Sequence, residues 1–206
     1  MIILPNFYFA PISYFSLWLQ SEDIYLEQWE NFPKQTYRNR CVIQGANGRL
    51  PLIIPIEHSE VRIMKDIKIS YASGWQKLHL KSIRSAYQSS PYFEYYEDSL
   101  APIFEKRETF LFDMNLKTLD WANMILKLNL SYYLTEKYVK NVDGTDAREN
   151  FNAKRESPYY NTKYIQVFSD RFDFMNDLSI LDLICNLGPK SADYIGTSNK
   201  ELHKNI

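Results

Sequence analysis

Residues 2–26, IILPNFYFAPISYFSLWLQSEDIYL, decide how the rest of the chain is laid out. Ile2 to Leu4 is a short apolar run ended by Pro5. It predicts a buried first strand feeding a loop, because a residue before proline is pushed toward extended backbone. From Ile12 to Gln20 apolar residues return at helical spacing: Ile12, Phe15 and Leu19 share a face, with Trp18 on a neighbouring row. Ser21 to Asp23 interrupt that helix, and Ile24-Tyr25-Leu26 open a second strand. Strand, loop, helix, strand is the opening of an α/β fold, and it sets the loop Pro5–Pro11 at the carboxyl edge of the sheet, where such folds gather ligands. The first helix also turns free N–H groups toward that edge, suited to a carboxylate or phosphate.

Downstream, RCVIQGANGRLPLIIPIE (40–57) holds two β-rich runs around Gly45-Ala46-Asn47-Gly48, and the Asn-Gly pair supplies the positive φ angles of a tight hairpin. Pro51 and Pro55 cannot donate to a ladder, which makes the return strand an edge. Ile63 to Ser70 alternates as a further strand. Helical spacing then takes over, from Trp75 to the Ser89-Ser90-Pro91 stop, from Phe93 to about Phe104, and from Leu111 to Leu128 with Asp113 or Asn115 as N-cap. Leu130–Leu134 and Tyr164–Phe168 read as short strands, and Leu178–Leu187 as a helix closed by Gly188-Pro189. Between them, the polar stretch beginning VKNVDGTDARENFN at 139 reads as a long surface loop. The expected architecture is one α/β domain over residues 1–195, a mixed sheet with flanking helices and a β-hairpin insertion near 41–56, followed by a frayed tail at 196–206.

Composition narrows the function classes. The 24 basic and 25 acidic residues nearly cancel, so the excess of positive charge on which nucleic-acid binding draws is missing. The two cysteines, Cys41 and Cys185, lie inside apolar runs and read as buried hydrophobes of a reducing, cytoplasmic compartment rather than a disulfide framework. The apolar N-terminus lacks a basic flank and is broken by Pro5 and Pro11, and no later stretch approaches the ~18 apolar residues of a membrane span. Tyrosine outnumbers phenylalanine 16 to 12. Tyr joins apolar area to a hydroxyl, so the same residues serve a core or line a ligand cleft.

Three groups of residues carry possible chemistry. Asn6 and Tyr8 stand in the first loop. KQTYRNR concentrates Lys34, Gln35, Arg38, Asn39 and Arg40 just before an apolar strand; arginine presents a planar fork to a carboxylate or diphosphate, and amides match sugar hydroxyls in both donor and acceptor sense. The alternative for this segment is a solvated approach to the strand with an ion pair to Glu27 or Glu30. Trp75 and His79 are four apart and share a helical face, where the imidazole can serve as general base or as a structural histidine. Tyr92, at the helix–helix corner, can reach that wall or plug the corner. Cysteine and histidine spacing supports no metal site, and no Gly-rich cofactor signature occurs, so the cofactor is left unknown.

The set formed by LPNFYFAPISYF, KQTYRNR, GANG, WQKLHLKSIRSAYQSSPYFEYY and FDFMNDLSILDLICNLGPKS, in this order, resembles the short branch of the WbqC-like protein family across roughly residues 1–195. Leu4-Pro5 and Ser13 stand where many relatives have Gln-Pro and Gly, and the polar loop near 140–157 replaces an extra α/β segment of longer relatives. The resemblance implies a place in surface-polysaccharide (O-antigen) biosynthesis, with aminoacyl or acyl transfer, glycine being one donor, onto an amino sugar or nucleotide sugar. On that reading His79 moves a proton, Arg38 and Arg40 hold an anionic group, Asn6, Gln35 and Asn39 meet hydroxyls, and Tyr8 and Trp75 stack on a ring. A non-catalytic module that binds a sugar or a biosynthetic partner, with its aromatic surface as contact patch and a homodimer among the options, is the competing expectation.

Overall fold

The computed structural model describes residues 1–153, 155 and 157–202, with side chains through residue 197. Strand β1 (Ile2–Pro5) is buried along its whole length, as a strand covered on both faces must be, which explains its unbroken apolar run. Helix α1 (Ile12–Trp18) is likewise buried at every position. It returns the chain to β2 (Ile24–Glu27), which pairs parallel with β1 in a register running from Ile2 opposite Ile24 to Pro5 opposite Glu27.

The hairpin forms as expected, from β3 (Arg40–Gly45) and β4 (Gly48–Ile53) joined through Ala46-Asn47. Only Gly48 of the Asn-Gly pair takes a positive φ, of 103°. Among the described strands β4 pairs with β3 alone, in keeping with Pro51. Ile63–Ser70 is not a strand: Met64–Asp66 make one 3-10 turn, and the segment touches its neighbours through single bridges, Asn31 to Ile63, Ile56 to Ile69 and Lys68 to Phe110. The amides of Met64 and Lys65 are drawn to the carbonyls of Glu30 and Gln28, which bends the backbone out of an extended path.

Helices α2 (Trp75–Tyr87), α3 (Phe93–Glu105) and α4 (Leu111–Leu126) fall where the periodicity puts them. α4 begins before Asp113 and Asn115, with Phe110 at its N-cap and no side-chain cap. Asn115 is instead pulled inward, its amide donating to the carbonyls of Asn6 and Arg38 at 3.0 and 2.8 Å.

The larger departure is the polar stretch after residue 139. Two short strands, β5 (Tyr133–Leu134) and β6 (Thr145–Asp146), complete a parallel sheet in the order β5-β2-β1-β6. β6 pairs with β1, and the amides of Thr145 and Ala147 donate to the carbonyls of Met1 and Ile3. Gly144 allows this approach: at φ 140° it lies so close to the Met1 carbonyl that a Cβ would overlap it. The stretch is therefore part of the sheet rather than a surface loop, and Ala147, Arg148 and Phe151 are buried.

Tyr164–Phe168 stays irregular because its side chains are taken up elsewhere: the Tyr164 hydroxyl and the Gln166 amide both donate to the buried Asp182 carboxylate. α5 (Ile180–Leu187) opens on Ser179, whose hydroxyl accepts from the Leu181 amide, and ends at Gly188. A 3-10 turn, Gly188–Lys190, leads into α6 (Ser191–Leu202), which continues through the first part of the expected tail; residues 203–206 lie outside the described residues. The chain is one α/β domain in which parallel and antiparallel pairing are divided between two sheets. Among the described residues no helix is long and apolar enough to cross a membrane.

Candidate functional site

The carboxyl ends of the parallel strands converge on an open cavity of about 800 Å³. The chain leaving β2 supplies Trp29 and Glu30, the chain leaving β6 supplies Arg148 and Phe151 after Asp146 on the strand itself, and the segment before β3 supplies Thr36 and Arg38. Tyr138, Lys140, Glu149 and Asn152 stand at more exposed points of the wall. The site thus lies at the sheet edge where α/β folds place ligands, although the loop expected to form it does not.

Behind the wall runs a chain of ionised groups. Arg38 grips Glu30 through Nε and Nη2, both at 2.6 Å, and Nη2 also donates to the Arg148 carbonyl at 3.1 Å. Arg148 donates from Nη1 to Glu27 at 3.2 Å and from Nε to Asp146 at 2.8 Å, with its Nη2 on the second Asp146 oxygen. Glu27, wholly buried, accepts further from the Trp29 amide and the Thr135 hydroxyl. The Arg38 guanidinium lies 5.6 Å from the Phe7 ring centroid, and that of Arg148 lies 4.6 Å from Tyr138.

Burial raises the Glu30 carboxyl above its ordinary range, against the pull of Arg38. Hydrogen bonds from Arg148 hold Asp146 below its own, and the same bonds raise Arg148. Among the described residues three carboxylates meet two guanidiniums, a formal excess of one negative charge. Arg38 lines the cavity, and among the described residues its Nη1 meets no acceptor.

Of the residues singled out from sequence, Arg38 alone lines this cavity, and it does so as the partner of Glu30. Lys34 and Gln35 are exposed on the preceding turn, where Gln35 takes a positive φ of 62°. Asn39 extends the hairpin by donating to the Ile54 carbonyl, and Arg40 begins β3. Asn6 donates to Phe112 from full burial.

Trp75 and His79 do share a helical face, with ring centroids 5.0 Å apart, but that face is the core. His79 is 2% exposed and hydrogen-bonds through Nδ1 to the Tyr8 hydroxyl at 3.0 Å. Desolvation lowers its pKa to about 4, so the imidazole is neutral at physiological pH. Tyr92 packs its ring on Gly188, as a corner plug would.

The N-terminus of α1 is occupied by the chain itself: Asp177 accepts from the Ser13 amide at 2.9 Å and the Ser13 hydroxyl at 2.7 Å. Burial raises the Asp177 carboxyl, and these bonds oppose the rise. Sequence reading missed Trp29, Asp146 and Arg148. The available signal was the alternation Asp146-Ala147-Arg148 after Gly144, which on a strand puts the acid and the base on one face.

A family model described as the WbqC-like protein family matches residues 6–156, more than half of the chain. The chain belongs to the WbqC-like family. Every described residue lining the cavity of this WbqC-like domain, from Trp29 to Asn152, falls within the matched residues, whereas the segment 172–191, part of the sequence resemblance, lies beyond them. No curated protein and no solved structure matches the chain.

Proposed function

We propose that this WbqC-like protein binds an amino sugar, free or nucleotide-linked, in the cavity at the carboxyl edge of its parallel sheet and serves surface-polysaccharide biosynthesis in the cytoplasm. The observation that carries this reading is the lining itself: ionised groups fixed in place by their own partners stand beside Trp29, Tyr138 and Phe151, with Thr36, Asn31 and Asn152 between them. Aromatic faces with a few oriented polar groups are what a hydroxylated ring requires. Because Arg38 and Arg148 are already bound to carboxylates, neither side chain has to be ordered when a ligand arrives.

Aminoacyl or acyl transfer onto the sugar is the reaction the family resemblance suggests. His79 is not used in this reading, since its imidazole is enclosed by Tyr8 and Trp75.

The test is thermal unfolding of the purified protein with nucleotide sugars, amino sugars, ATP and glycine in turn, repeated with Lys140→Glu at the exposed rim. A ligand at a hundred times its Kd adds about 2.7 kcal/mol of stability. Stabilisation by a nucleotide sugar, weakened by the charge reversal, supports the reading. No shift with any compound favours the module that binds a protein partner.

A further inference from the structure

We infer that the cavity selects a ligand whose amine is free and protonated over its N-acylated counterpart. This rests on the reading of the cavity as a sugar site and specifies which sugar it takes. Two observations carry it.

The first is charge. Among the described residues, Glu27, Glu30 and Asp146 are paired with Arg38 and Arg148 and with no other cation, and Lys140 and Glu149 stand at the rim. An excess negative charge in a partly desolvated network favours a cation beside it and disfavours a neutral amide of the same shape. Asp146 is the carboxylate that reaches the ligand, since its side chain is 40% exposed whereas that of Glu30 is 9% exposed. Among the described residues its oxygens accept only from Arg148, and a carboxylate has room for further donors.

The second is Arg38. Its side chain is 3% exposed and lines the cavity, and Nη1 has no acceptor among the described residues. With the charge of Arg38 balanced by Glu30, that nitrogen offers a directed N–H bond to a hydroxyl or ring oxygen rather than a general anion site. Asp146 and Arg38 are joined through Arg148, which binds the first by its guanidinium and the second by its carbonyl. An ammonium on Asp146 and an oxygen on Arg38 therefore belong to one small molecule, and a sugar with an unsubstituted amino group presents both.

The experiment is calorimetric titration of the full chain with UDP-glucosamine, UDP-N-acetylglucosamine and UDP-glucose, with the three parent monosaccharides alongside. Glucosamine and its UDP form bind about tenfold or more tightly than the acetylated and amine-free compounds, as one charge-assisted contact allows. Asp146→Asn, checked for folding by circular dichroism, brings the three affinities together. Equal affinities in the unmodified protein, or tighter binding of the N-acetyl form, overturn the selectivity and leave the sugar site standing. Absence of binding by all six compounds overturns the sugar site and the selectivity with it.

Discussion

Arg38 and His79 are assigned to one cleft by sequence, and the fold sends them to opposite kinds of environment. Arg38 is buried against Glu30 at the edge of a cavity, held by a carboxylate and with Nη1 lacking an acceptor among the described residues. His79 is buried against Tyr8 and Trp75, and desolvation removes its charge at physiological pH. An ionisable group enters a protein interior either with a charged partner or by giving up its charge. The first kind of burial leaves a polar surface that a ligand can use; the second produces core.

The sharpest way to break this contrast is Arg38→Ala. It leaves Glu30 buried and unpaired, and the expected cost is about 3–5 kcal/mol in urea unfolding. A loss below about 1 kcal/mol shows that water already reaches the pair. Loss of ligand binding in this variant is not informative by itself, because its fold is compromised.

The histidine side is probed by pH. The folded imidazole binds its proton near pH 4, while the unfolded one does so near 6.5, so stability falls as pH drops through that interval. At 1.36 kcal/mol per unit the loss is on the order of 3 kcal/mol by pH 4. Buried Glu30, Asp177 and Asp182, with raised carboxyl pKa values, act in the opposite direction. The measurement is therefore the difference between the unmodified protein and His79→Gln, which should lack this component; superimposable pH profiles contradict the buried, neutral histidine.

Tyr8→Phe removes the hydroxyl that pairs with the imidazole and is expected to cost about 1–2 kcal/mol without altering any ligand response. Weakened sugar binding with intact stability places Tyr8 in a site after all. Lys140→Ala has the smallest effect, within about 0.5 kcal/mol of stability, since the side chain is exposed.

The elements legible in the sequence are those whose signal is local. Hydrophobic period gives β1, α1, β2 and the three middle helices, and Gly48 and its prolines give the hairpin and its unpaired edge. The same logic puts His79 on the apolar face of α2 with Trp75, and that face is the core face. What the pattern lacks is the identity of distant partners. Arg148 sits in a polar stretch that looks solvated, and its burial depends on Glu27, 121 residues away, and on the pairing of β6 with β1. Asp177 fills the N-terminus of α1 from 164 residues away, which no reading of the helix alone reveals.

Two tryptophans separate the two environments. Trp29 lines the cavity and donates its indole N–H to the Thr135 carbonyl, while Trp75 lies in the core against His79 with its indole nitrogen unpaired among the described residues. Titrating ¹⁵N-labelled protein with UDP-glucosamine and following the indole resonances compares them directly. The Trp29 signal should move with ligand while that of Trp75 stays in place; a shift at Trp75 with Trp29 unmoved contradicts the cavity as the ligand site and returns it to the aromatic loop and helix.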